Sequence, residues 1–148
     1  MIRSILLGLS AGMRSMTPVA VVGEAVRRGQ LPVTGSAGAL LARAGVRPAA
    51  LLLAAGEIAG DKLHSAPDRI VAPGLVARLA TGALAGAAVA PRDRQGVGAL
   101  LGAAAAVGFA YVSFAARMRT MQRHGQTSTG LVEDAVALAM ALLAVRPR

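Results

Sequence analysis

Five long apolar stretches, separated by short connectors that carry most of the arginines, limit what this chain of 148 residues can fold into. A helix needs about 20 apolar residues to cross a bilayer, with a working range of about 17–25. The pattern therefore predicts an all-α fold: a polytopic membrane helix bundle of about five membrane segments, forming a single integral membrane domain over residues 1–148. The stretches cover residues 5–26, 48–63, 74–90, 96–116 and 130–145.

The second, third and fifth of these stretches are short for a full span. They can cross with help from flanking residues or from local thinning of the bilayer. Alternatively, any of them can be a re-entrant segment, which is tolerated only where protein covers its backbone. The sequence leaves both arrangements open.

Composition agrees with a membrane protein and narrows the choice of partners. Hydrophobic residues make up 55% and charged residues 16% of the chain, whereas a soluble domain has about 25% charged residues. The net charge of +9 comes almost entirely from scattered arginines, and aromatic residues are only 2% of the chain. This pattern is typical of contact with lipid headgroups. It disfavours nucleic acid as a partner, because basic clusters with interleaved aromatics are missing.

The first stretch is predicted to be a retained membrane helix and not a cleaved signal peptide. Arg14 interrupts its apolar run, and no clear cleavage site follows. Thr17 and Pro18 predict that this helix is broken or kinked near its middle, because proline removes a helical hydrogen bond.

Two further segments are predicted from their polar residues. Residues 35–46 are apolar but too short to span, and Arg43 and Arg47 lie at one end, so we expect a short interfacial helix. Residues 117–128 are predicted to be a polar connector whose arginines, beginning with Arg117, face lipid headgroups.

Pairs of glycines four residues apart recur along the chain and predict helices that pack closely in lipid. With so small a core, we expect a homo-oligomer. Each half of the sequence also has a Gly- and Ala-rich helix followed by a helix with two acidic residues, which suggests a weak internal repeat. The pairs are Gly8/Gly12, Gly56/Gly60, Gly82/Gly86 and Gly98/Gly102.

Positive charges flanking five spans divide almost evenly between the two membrane sides. The slightly richer side is expected to be cytoplasmic, and the margin is small enough that dual insertion is conceivable. The richer side holds Arg27, Arg28, Arg43, Arg47, Arg92, Arg94, Arg146 and Arg148, and the other side holds Arg3, Lys62, Arg69, Arg117, Arg119 and Arg123.

Charged residues also occur inside the apolar stretches, where each costs about 2.5–3.5 kcal/mol at a helix centre. Glu57 and Asp61 are four residues apart and share a helix face. With five spans, the second helix ends on the side where the third and fifth begin, so six charges converge and are expected to pair. The six are Arg14, Glu57, Asp61, Arg78, Glu133 and Asp134.

The sequence gives little support for a catalytic, metal-binding or cofactor-binding site. Glu133 and Asp134 also suit the first turn of the last helix, where the helix dipole favours acids. His64 and His124 are isolated, and the chain has no cysteine. No phosphate-binding or catalytic motif occurs. We therefore expect no catalytic residue, no metal site and no cofactor.

Several of these residues belong to short motifs spread over most of the chain. The motifs are GLSAGMRSMTP at 8–18, GEIAGDK at 56–62, PDR at 67–69, PG at 73–74 and LVED at 131–134. In this order they resemble the family catalogued as domain of unknown function 4126, which are small bacterial inner-membrane proteins. The resemblance implies a multi-pass protein of the bacterial inner membrane in which five charged residues are motif positions, and it assigns them no reaction. Those positions are Glu57, Asp61, Lys62, Glu133 and Asp134.

We expect a small transporter or channel for a solute or ion, with an acidic cluster and an arginine counter-ion. The alternative is a non-transporting scaffold or assembly protein whose charges only fix helix packing. A transporter needs a water-accessible cavity that reaches Glu57 and Asp61, whereas a scaffold seals and pairs them. An enzyme acting on lipid is the least supported hypothesis, and it needs a lateral opening at headgroup depth. The candidate ligand- or ion-binding residues are Glu57, Asp61, Lys62, Arg14, Arg78, Glu133 and Asp134.

Overall fold

A computed structural model of the chain describes residues 1–33, 35–60 and 71–146. Within these residues the fold is all-helical, with no strand, as the sequence predicts. The helices are α1 (Ile2–Met13), α2 (Thr17–Arg27), α3 (Gly35–Leu41), α4 (Val46–Gly60), α5 (Ala72–Ala88), α6 (Gln95–His124) and α7 (Gln126–Val145), and a 3-10 turn at Arg92–Arg94 precedes α6.

Two helical segments are long and apolar enough to cross a membrane: Arg92–His124, which contains α6, and Gln126–Val145, which is α7. A third candidate is the pair of α3 and α4, which are bent by 76° relative to each other. Many large apolar side chains point away from the bundle, and Leu52 and Leu100 are 73% and 72% exposed. Extended apolar surface of this kind is unfavourable in water and favourable in lipid. The structure therefore supports a membrane protein with two or three candidate spans.

Helix α1 lies in the middle of the bundle, where it packs against α5, α6 and α7. It runs parallel to α6, because Gly8 lies against Gly102 and Gly12, one turn later, lies against Ala106. Gly102 also lies against the backbone of Gly82 on α5. Glycine at these positions lets the three helices approach until their backbones touch, which confirms the predicted close packing for α1, α5 and α6.

The predicted break in the first apolar stretch is present. Helix α1 ends at Met13, and the next residue, Arg14, is extended with φ −136° and ψ 109°. Helix α2 begins at Thr17 with Pro18 in its first turn, a position where the missing N–H of proline does no harm.

The two halves of this stretch form a helical hairpin and do not continue along one axis. The N–H of Met16 binds Glu57 near the end of α4, and Glu24 pairs with Arg47 near the start of α4. Helix α2 is therefore antiparallel to α4, and it packs along α7. The turn of the α1–α2 hairpin is formed by residues 14–16.

The hairpin gives the bundle two distinct ends. At the arginine-rich end, Arg3 on α1 donates a 2.7 Å hydrogen bond to the carbonyl of Arg146, which follows α7. The chain after α2 returns to the same end, where Gly35 lies against Gln95 at the start of α6. At the opposite end, α6 turns into α7 at Gly125.

The region predicted to be a polar connector, 117–128, is helical, so that prediction is wrong. Helix α6 continues to His124 and α7 begins at Gln126, which leaves only Gly125 between them. The arginines, methionines and glutamine after residue 116 are good helix formers. Gly125 has a φ of 80°, a conformation that glycine adopts at little cost, so the turn forms there. The short helix predicted within 35–46 is present as α3.

Candidate functional site

Buried and half-buried charges gather around the turn of the hairpin, near the middle depth of the bundle. At 1.5 Å per residue, Asp134 lies about 12 Å from the start of α7 and about 17 Å from its end. Among the described residues the group holds three guanidiniums and three carboxylates, so its formal charges balance. This mid-depth cluster consists of Arg14, Glu57, Arg78, Arg117, Glu133 and Asp134.

Arg14 connects the hairpin turn to α7. Its Nε donates a hydrogen bond to Oδ1 of Asp134. Arg14 is only 1% exposed, and the side chain of Asp134 is 15% exposed. A guanidinium buried this deeply is very costly without a partner. The pair therefore ties the position of the turn to that of α7.

Arg78 caps the end of α1 from the neighbouring helix α5. Its Nε donates to the carbonyl of Gly12 at 3.1 Å, and its Nη1 donates to the carbonyl of Gly74 at 3.0 Å. The Gly12 carbonyl is one of the last four of α1, which have no partner within the helix. A cation at this position also complements the negative end of the helix dipole.

Glu57 caps the other arm of the hairpin from α4. Its Oε1 accepts a hydrogen bond from the backbone N–H of Ser15 at 2.9 Å. Its Oε2 accepts bonds from the N–H of Met16 at 3.1 Å and the hydroxyl of Ser15 at 3.2 Å. These groups lead into the start of α2, where the helix dipole favours an anion. Glu57 and Arg78 thus hold the turn at its depth from two sides.

Arg117 and Glu133 form a buried ion pair between α6 and α7. Nη1 of Arg117 lies 2.8 Å from Oε2 of Glu133, and their side chains are 8% and 6% exposed. The prediction that Arg117 faces headgroups is therefore wrong. The prediction that Glu133 and Asp134 lie in the first turn is also wrong, because α7 begins at Gln126, about two turns earlier.

Five of the seven candidate residues lie in the mid-depth cluster, and the other two, Asp61 and Lys62, lie outside the described residues. Sequence reasoning missed Arg117. The sequence feature that could have identified it is its spacing: Arg117 and Glu133 are each eight residues from Gly125, where α6 turns into α7. Within the described ranges, no group of three or more His, Asp or Glu side chains could hold a metal ion.

Two grooves, open to the side of the bundle, lead from the cluster towards opposite ends. The first groove, of about 440 Å³, lies between α2, α4 and α7. Thr17 and Asp134 line its inner end, and Arg28 and Gln30 line its mouth at the arginine-rich end. Apart from Glu24 at the mouth, the rest of its lining is apolar.

The second groove, of about 470 Å³, lies between α6 and α7. Met13, Arg117 and Glu133 line its inner part, and His124 and Ser128 line it at the opposite end of the bundle. Its lining mixes apolar side chains with several hydroxyl groups. The neighbouring carboxylates of α7 thus face different grooves: Asp134 faces the first and Glu133 the second.

An exposed cluster around Glu24 surrounds the mouth of the first groove. The Glu24 carboxylate accepts hydrogen bonds from Arg27, Arg28 and Arg47. The guanidiniums, Arg27 foremost and then Arg28, hold the pKa of the Glu24 carboxyl well below its ordinary value. One carboxylate among three guanidiniums leaves this mouth with a net positive charge.

No model of a known protein family, no curated protein sequence and no solved structure matches the chain. The resemblance to the domain of unknown function 4126 family therefore stays a prediction. A function for the chain has to be argued from its geometry.

Proposed function

We propose that the chain is a small multi-pass protein of the bacterial inner membrane that moves a small solute or ion across the bilayer. The observation that carries this proposal is the pair of grooves that approach the mid-depth cluster from opposite ends. They end at neighbouring carboxylates, Glu133 and Asp134, with α7 between them. Transporters commonly place their sites near the bilayer midplane, beside broken helices whose ends face the site.

About five membrane segments account for this arrangement. Helices α4, α5, α6 and α7 cross, and the α1–α2 hairpin enters from the arginine-rich end and returns to it. Helix α1 is about 18 Å long and ends at the turn, and α2 carries the chain back to the end where α1 begins, so α1 does not cross by itself. A re-entrant segment needs protein around it, and Leu7 and Ala11 of α1 are completely buried. Helix α3 then lies at the interface, as the sequence predicts.

The hairpin changes the balance of positive charge between the two sides. Because α1 begins at the end where α2 finishes, Arg3 joins the arginine-rich end, together with Arg27, Arg28, Arg92 and Arg146. Five uninterrupted spans would have placed Arg3 on the other side. The wider margin supports a single orientation, with the arginine-rich end in the cytoplasm.

The ion pairs of the cluster supply groups that a solute or proton can displace. Arg14 with Asp134, and Arg117 with Glu133, each offer a carboxylate to one groove. A proton on either carboxylate, or a cation beside it, replaces the charge of the arginine partner, so no carboxylate is left uncompensated. Exchange of partners at these two pairs is the step that passes a solute from one groove to the other.

A non-transporting scaffold is the alternative function, and Glu57 is the residue that favours it. Three hydrogen bonds from the turn occupy both of its oxygens, and it lines neither groove. Such a carboxylate fixes helix packing. A scaffold would act through assembly, and Gly56 on the outer face of α4 has no described atom within 4 Å of an added Cβ. This small-residue face suits the predicted homo-oligomer.

The two functions are separated by flux measurements on purified protein in liposomes. We expect proton or ion flux above that of empty vesicles, and a large change in that flux in Glu133→Gln. Asp93→Asn is the matched control, because Asp93 is exposed in the turn before α6, and its flux should equal that of the parent. A parent with flux equal to empty vesicles for protons, potassium, chloride and small organic acids would contradict transport and favour the scaffold.

A further inference from the structure

Asp134 lines the inner end of the first groove, and its partner Arg14, which is 1% exposed, lies behind it. Arg14 binds only one carboxylate oxygen of Asp134 through its Nε. The other oxygen, Oδ2, is buried and accepts no hydrogen bond from the residues that the structure describes. A buried acceptor without a donor is costly. This carboxylate is therefore held at the arginine with incomplete hydrogen bonding, in a groove that is open to the side.

We infer that the first groove binds a small water-soluble carboxylate with an aliphatic body, which replaces the Asp134 carboxylate at Arg14 when Asp134 takes up a proton. The inference rests on the proposed transport function and names its solute class. Asp134 acts as an internal substitute for the ligand's carboxylate. Arginine favours carboxylates because its planar donors match their two oxygens.

The lining of the groove fits the two ends of such a ligand. Thr17 and Asp134 line the inner end, Arg14 lies behind Asp134, and the rest of the lining is apolar up to the mouth. Arg28 and Gln30 line that mouth, where the net positive charge around Glu24 attracts anions from water. A membrane lipid fits poorly, because a headgroup at Arg28 would place the tail end against the buried ion pair.

The exchange keeps the charge of the cluster constant. One proton binds to the Asp134 carboxylate, one ligand carboxylate arrives at Arg14, and the two added charges cancel. Balance matters because an extra charge near the bilayer centre costs about 2.5–3.5 kcal/mol. Among the residues that the structure describes, the charged groups that face this region from the packed helices are Glu24 and Arg28 on α2, Glu57 on α4, Arg78 on α5, Arg117 on α6 and Glu133 on α7.

Binding of radiolabelled butyrate to purified protein in detergent, measured by equilibrium dialysis, tests the inference without any flux. Because binding takes up one proton, the affinity of the parent protein for butyrate should rise as the pH falls. Asp134→Asn removes the internal carboxylate with little change in size. It should bind butyrate at pH about 8 at least about tenfold more tightly than the parent, and the pH dependence should largely disappear.

Two controls sharpen the measurement. Asp93→Asn makes the same chemical change at an exposed site and should match the parent, and butylamine, of similar size and opposite charge, should not bind to Asp134→Asn. Equal butyrate binding by Asp134→Asn and the parent, together with a pH-independent parent, would overturn the inference. Butyrate binding without flux would leave the inference standing and contradict transport. Flux of another solute without butyrate binding would contradict only the inference.

Discussion

The contact between α5 and α6 predicts how much stability a single added methyl group removes. An alanine Cβ at Gly102 would lie 2.1 Å from the carbonyl oxygen of Gly82, whereas real Cβ contacts essentially never fall below 3.0 Å. The obstacle is backbone, so the two helices must separate by roughly 1 Å, the difference between these two distances. Overpacking of this kind costs about 1–3 kcal/mol, and alanine regains up to about 1 kcal/mol of helix propensity. Gly102→Ala should therefore lose up to about 2 kcal/mol of stability.

Gly108→Ala is the matched control on the same helix. An added Cβ there meets no described atom within 4 Å, so only the propensity gain of up to about 1 kcal/mol remains. Unfolding of both variants by a denaturing detergent, followed by circular dichroism, gives the two free energies. The expected signs are opposite. If Gly102→Ala proved as stable as Gly108→Ala, the proposed backbone contact between α5 and α6 would be refuted.

Two further predictions concern charged residues. Arg117→Gln should destabilise the protein by about 0.6 to about 3 kcal/mol. The double variant Arg117→Gln/Glu133→Gln should recover part of this loss, because it leaves no unpaired charge. A double variant that is less stable than the single variant in thermal unfolding would contradict the pairing. Glu24→Gln should lower the unfolding midpoint most above pH about 5, and the difference from the parent should shrink at each lower pH. The reason is that the pKa of Glu24 in the folded protein lies below its ordinary value of 4.5, so the stabilisation by its carboxylate is lost as the pH falls below 4.5. A difference in midpoint that stays constant down to pH about 2 would contradict this prediction.

Much of the bundle follows from local sequence. Apolar length and proline positions predict α4, α5 and α7 within a few residues. The five-span pattern also anticipates that Arg14, Arg78, Glu57, Glu133 and Asp134 converge in one half of the bundle. It places Glu133 and Asp134 too near a membrane edge, because α7 begins at Gln126 and not at residue 130.

The hairpin could not be predicted in the same way. Thr17 and Pro18 specify a break, but the direction in which the chain leaves that break depends on distant residues. Glu57 binds the turn from α4, and Arg78 binds the carbonyl of Gly12 from α5. Neither interaction has a signature in the local sequence, so a kinked span and a hairpin cannot be distinguished from residues 5–26 alone.

Access of water from opposite sides to the two inner groove ends tests the account most directly. Thr17 lines the inner end of the first groove, and Ser113 lines the second groove. The chain has no cysteine, so Thr17→Cys and Ser113→Cys can each be probed alone with a membrane-impermeant thiol reagent. In oriented vesicles, Thr17→Cys should react only from the arginine-rich side and Ser113→Cys only from the other side. Reaction of both from one side, or of neither, would contradict a pathway that meets at the mid-depth cluster.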